Sequence, residues 1–211
     1  MDVSLTDYGV AAECVCFSYL TARRPPGAFK FKSQFITFFL SVAVAAAAGG
    51  TVHGFFLNER SFEHLTLWPF TLIVIGVTAL TGVQIGVALQ FSGTTAAYIN
   101  RFALVLFLAY IVVVLFVRED FLVAVVDYLP ALALMGSGFL LAYRRLRRPP
   151  LLVGFLGVCL MLFAAAAQQA KLGIDPRYFD HNALYHLLQA IALFMVFLAA
   201  QELINSKEPI N

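Results

Sequence analysis

Apolar residues run in seven long blocks along this chain, near residues 5–21, 33–56, 65–91, 97–117, 121–143, 150–171 and 180–203. Each has the length, about 17 to 25 residues, that a helix needs to cross roughly 30 Å of hydrocarbon. The blocks are continuous rather than alternating, which argues against a barrel of short strands. The pattern therefore predicts an all-α fold, an integral membrane bundle of seven transmembrane helices. The first block is the weakest, because Asp7 and Glu13 interrupt it. It lacks the basic start and small-residue cleavage site of a signal peptide, so it is read as a helix of the mature protein. Loops this short leave no room for a soluble domain, and residues 1–211 are read as one membrane domain. The small-residue run at 43–50 suits close helix packing better than a linker.

Composition agrees: 61% of the residues are hydrophobic and only 12% charged, far from the balance of a soluble domain. The basic residues add an orientation, since Lys and Arg in short loops are retained in the cytoplasm. Arg23, Arg24, Lys30 and Lys32 fall between the first two blocks, and Arg144, Arg145, Arg147 and Arg148 between the fifth and sixth. The other side carries mixed charge, with Glu59, Arg60 and Glu63, then Arg118, Glu119 and Asp120, then Lys171, Asp175, Arg177 and Asp180. The N-terminus is thus expected outside and the C-terminus in the cytoplasm, in a bacterial inner (plasma) membrane. A net charge of +2, with arginines clustered beside prolines at helix ends, offers no basic surface for nucleic acid. Membrane lipids are the expected partners, through their anionic headgroups; the oligomeric state stays open. Cys14, Cys16 and Cys159 read as small buried apolar residues, with metal ligation by Cys14 or Cys16 as the lesser alternative.

The polar residues are not scattered. Asp7, Glu13, His53, Asp127, Gln168, Gln169, Asp180, His181, Asn182, Tyr185, His186 and Gln189 collect toward one end of the bundle, and the opposite half is almost wholly apolar. Polar groups in hydrocarbon are costly unless they satisfy one another, bind a metal or line water, so this cluster is the candidate site. His53 ends the second helix in Gly-Gly-Thr-Val-His-Gly, and the seventh begins Asp-His-Asn-Ala-Leu-Tyr-His. In the expected orientation both lie at one depth. Asn182, His186 and Gln189 share one helical face, with His181 and Tyr185 on an adjacent row.

Histidines converging from separate helices suit a catalytic zinc, with Glu13 or Asp127 as the carboxylate. Plainer roles stand beside each. Interhelical hydrogen bonding or interfacial anchoring also accounts for His53 and His186, Asp180 reads as an N-cap, and Asp127 as a repair of backbone freed by Pro130. Gln168 and Gln169 serve equally as packing groups or pocket lining. His64 and Glu63 look like loop residues and Trp68 like an interfacial aromatic.

A histidine ending helix two and another opening helix seven resemble the CREST superfamily of seven-helix membrane proteins, which includes alkaline ceramidases, adiponectin receptors and GPI-remodelling lipases. Residues 182–186, Asn-Ala-Leu-Tyr-His, look like that family's helix-seven motif, and His53 matches its helix-two histidine. The resemblance implies a zinc cofactor held by His53, His186 and His181, hydrolysing a lipid amide or ester. The chain departs at Asn182, which stands where the family has the first histidine of its pair, and at Gly49, where the family has a serine. The acidic residue of helix three is also missing; Glu13 is the candidate to compensate.

The leading expectation is therefore a zinc-dependent lipid hydrolase with its site near the extracytoplasmic face. The alternative is a non-enzymatic receptor, sensor or lipid-binding protein with the same polar cavity. A transporter would need polar groups through the inner half, where only Gln84, Ser41 and Asn100 stand out. No lysine is available mid-membrane in helix seven for a retinal Schiff base, and no motif supports haem.

Overall fold

The computed structural model describes residues 2–25, 32–175 and 179–206; Lys30 and Arg177 of the charge pattern lie outside them. These residues form seven helices: α1 Asp2–Ala22, α2 Lys32–Phe55, α3 Phe62–Gln90, α4 Gly93–Phe116, α5 Phe121–Leu146, α6 Pro149–Gln169 and α7 His181–Asn205. Six of them, α2 to α7, are long and apolar enough to cross a membrane. Local chemistry sets the ends. Ser61 accepts a hydrogen bond from the His64 N–H and starts α3 ahead of its apolar run. Asp120 accepts from Leu122 at the start of α5, and Asp180 accepts from Asn182 and Ala183 at the start of α7. Each fills orphan donors of a first turn. Pro149 and Pro150 open α6, where a missing N–H does no harm.

Packing joins α1 to α2, α2 to α3, α3 to α5, α5 to α6, α6 to α7 and α7 back to α1, closing a six-helix ring. Helix α4 lies outside that ring against α3, burying only Tyr110 and Val114. Tyr110 reaches in to donate to the Leu72 carbonyl at 2.7 Å. With no hydrophobic drive between helices in lipid, close approach through small residues carries the association. At Gly157 of α6 a Cβ would sit 2.8 Å from the Ala192 carbonyl of α7, so that contact admits no side chain.

The ring is filled unevenly. Toward the start of α2 and the end of α7, Phe17 stacks on Phe197 at 4.3 Å between centroids, while Phe39 meets Phe17 and Phe38 edge-on, each at 5.5 Å. That end is solid. It is tied off by Arg24, which donates to Gln201 at 2.7 Å, by Gln201, which donates to Thr21 at 3.1 Å, and by an ion pair between Arg148 and Glu202 at 2.5 Å. Toward the start of α1, the end of α2 and the start of α7 the helices stand apart around a cavity.

Candidate functional site

The cavity holds about 330 Å³ and is lined by every helix of the ring, with no residue from α4. That volume falls in the range of pockets for small organic ligands. Its head carries Asp7, His53, His181, Asn182, Tyr185, His186, Gln168 and Gln189. Deeper positions are mostly apolar, with Val42, Ala46, Ile75, Leu132, Met161 and Ala165. Thr78 lies among them and donates to Ser41 at 2.8 Å. Among the lining residues there is no lysine or arginine.

At the head, one carboxylate stands between two rings. Asp7, only 4% exposed, places Oδ2 2.9 Å from His53 Nδ1 and Oδ1 3.1 Å from His186 Nε2. Gly50 makes this possible: a Cβ there would lie 2.8 Å from the Asp7 Cβ, so only glycine lets α1 settle so close to α2. Ser4, one turn earlier, donates to the Gly50 carbonyl at 2.6 Å and fixes the same approach. His53 is three residues beyond Gly50, hence on the same helical face and within reach of Asp7.

Hydrogen-bond directions follow from the donors available. The Thr6 hydroxyl donates to the Val3 carbonyl at 2.8 Å and lies 3.1 Å from His186 Nδ1. His186 Nε2 faces Asp7 Oδ1 at 3.1 Å. On the other side, His53 donates Nδ1–H to Asp7, which leaves its Nε2 without a protein partner among the described residues. The His53 side chain is 32% exposed and lines the cavity, 6.0 Å from the Trp68 ring.

The sequence candidates divide. His53, His181, His186, Asn182, Tyr185, Gln168 and Gln189 all line this one cavity, and Gln168 donates to Asn182 at 3.1 Å. Asp180 caps α7 and is not part of the lining. The two candidate catalytic carboxylates, Glu13 and Asp127, lie away from this cavity. Asp127 lines a separate crevice formed by α3, α4 and α5, outside the ring. Glu13 is absent from both linings, and its Oε2 is buried without a partner among the described residues. The reason is rotational: six residues at about 100° each leave Glu13 roughly 120° round the helix from Asp7, on a different face of α1.

Asp7 itself is the residue that sequence reasoning left among the general polar positions. Its signal was the Gly49-Gly50 step one turn before His53, a notch that calls for a neighbour on a facing helix. Trp68 and Tyr128 were missed as lining too; Trp68 donates to the Glu119 carbonyl at 2.9 Å and turns its ring to the cavity. Of the cysteines read as buried, Cys16 and Cys159 are exposed on the bundle's outside and only Cys14 is enclosed.

The zinc implied by the resemblance needs three lone pairs converging at about 2.0 Å. Both nitrogens of His186 and both oxygens of Asp7 already face protein groups, and only His53 Nε2 is open. His181 lines the cavity without a hydrogen bond to this trio. Among the described residues no group of three His, Cys, Asp or Glu side chains is arranged to hold a metal ion. The residues in this arrangement do not fit zinc.

Comparison with curated proteins and with solved structures finds no match. Residues 3–205 do match the model of a family of unknown function, DUF6962, and the chain belongs to that family.

Proposed function

We propose that this protein spans the membrane seven times and binds an amphiphilic, lipid-like molecule, acting as a receptor, sensor or carrier of that ligand. The observation that carries the reading is a cavity with one polar head, organised by His53, Asp7 and His186, and an apolar floor. That division of lining matches a molecule with a polar head and a hydrocarbon body. With Asp7 at the head and no lysine or arginine in the lining, an anionic headgroup would meet repulsion, so a neutral head is favoured. The arginine-rich loops support an orientation with the cavity toward the extracytoplasmic face of a bacterial inner membrane.

The chain's one tryptophan, Trp68, lines the cavity and reports its occupancy. In protein reconstituted into vesicles, a neutral single-chain amphiphile such as monooleoylglycerol should shift its emission saturably, and oleate should not. Ala165→Phe, which fills the floor, should abolish the shift. No saturable response in the wild type, or an unaltered one in Ala165→Phe, would remove the basis for this reading.

One observation favours a second reading, hydrolysis of a lipid amide or ester. His53 is held by Asp7 through Nδ1 and turns toward the cavity, the arrangement of an oriented general base. Water would add to the acyl carbon as its proton passes to Nε2. The C–N or C–O bond would then break, the leaving group taking that proton. Release of fatty acid by the wild type, lost in His53→Gln, would establish it. Purified protein should contain no stoichiometric zinc; about one zinc per chain, lost in His53→Ala and His186→Ala, would show the rings turning from Asp7 to share an ion.

A further inference from the structure

Two hydroxyls in the cavity have nothing to bind. Tyr128 of α5 and Tyr185 of α7 both line it, and neither makes a hydrogen bond among the described residues. Two other tyrosines are paired. Tyr110 donates to the Leu72 carbonyl at 2.7 Å, and Tyr8 pairs with the Thr51 hydroxyl at 2.9 Å. A tyrosine enclosed in protein normally finds a partner for its O–H, because an unmade hydrogen bond in apolar surroundings is costly. Tyr128 packs against the apolar core, and the Tyr185 ring lies 5.3 Å from the His186 ring and 6.2 Å from that of Phe121. The surface these tyrosines leave open is turned to the cavity.

Tyr185 stands beside His186 at the polar head, and Tyr128, packed on the apolar core, lines the same cavity with Leu132 and Met161. An amphiphile lying in the cavity brings to this level the first polar group above its hydrocarbon chain. In an acyl lipid this group is the carbonyl, an acceptor without a donor of its own. The hydroxyls are donors without acceptors. A carboxylate would also accept, but it would do so beside Asp7 with no cation in the lining.

We propose that Tyr128 and Tyr185 are a specificity-determining pair that grips the carbonyl oxygen of a neutral acyl lipid, an ester or amide. This rests on the amphiphile-binding reading and selects among amphiphiles. The grip requires no metal and works for a bound ligand or for a substrate, whose carbonyl oxygen gains negative charge during hydrolysis and would be held more tightly.

The test uses two lipids that differ only at that oxygen, 1-monooleoylglycerol and its ether analogue 1-O-oleylglycerol, titrated against Trp68 emission in vesicles. Wild-type protein should prefer the ester about tenfold, the ratio expected from one or two well-made hydrogen bonds. Tyr128→Phe and Tyr185→Phe keep the rings and remove the hydroxyls. Each should lower the preference by roughly threefold, and the double variant should bring the ester to the level of the ether. Equal binding of ester and ether by the wild type, or a full preference surviving in the double variant, overturns the pair while leaving the amphiphile cavity standing. Failure of both lipids to bind the wild type overturns the pair and the cavity reading together. Helicity and thermal unfolding of the Phe variants, expected to match the wild type, separate a lost grip from a lost fold.

Discussion

Around Phe39 the helices of the ring meet through fully enclosed aromatic side chains, whereas around Asp7 the same helices stand apart over some 330 Å³. The chain is therefore capable of solid packing in the membrane, and it forgoes that packing where its polar groups gather. In the solid end each ring completes a neighbour's surroundings. In the hollow end polar atoms satisfy one another only in part: His53 Nε2 and two tyrosine hydroxyls are left facing the cavity. Space and unmet hydrogen bonds at one place are the mark of a site kept for a ligand.

The sharpest way to break this contrast is to remove volume from the solid end. Phe39→Ala, at a fully buried ring, should lower stability by about 3 kcal/mol, near the lower end for such truncations because the unfolded helix stays in hydrocarbon. Reversible unfolding in mixed micelles measures it, and a loss below about 1 kcal/mol would mean the aromatic end is loosely filled as well. Asp7→Leu comes next. It strands His186 Nε2 and His53 Nδ1 and should lower stability by about 2 kcal/mol with loss of amphiphile binding. Unchanged binding would show that the trio does not organise the head.

Smaller effects sharpen the comparison. Gly50→Ala should cost about 1 kcal/mol, as α1 is levered off α2 and Asp7 drawn from His53, and the affinity for monooleoylglycerol should fall with it. An unaltered affinity would separate helix spacing from ligand binding. Ala165→Phe should change stability by no more than about 0.5 kcal/mol, because the added ring enters empty space. A strong destabilisation there would mean that the cavity is already occupied by side chains in motion.

Helices α2 to α7 were legible in the sequence because high hydropathy over some twenty residues repeats in each of them. Helix starts were legible where a cap marks them, as at Asp180. The gathering of polar residues at one end was legible too, since it needs only chain order and span direction. What could not be read was rotation. Glu13, Asp127 and Asp7 all sit in helices apolar on most faces, and nothing in such a helix says which side meets the ring. Glycine carries that information indirectly: the close approach at Gly50 marks where Asp7 faces α2. The place of α4 was hidden for the same reason: its composition is as apolar as that of its neighbours, although only 17% of its most apolar stretch is buried.

The contact of Asp7 with His53 and His186 ties α1 to both α2 and α7. During synthesis, α1 and α2 leave the translocon first and can dock through Gly50, yet the carboxylate waits for its second imidazole until α7 has been threaded. The head is thus complete only when α1, α2 and α7 stand together.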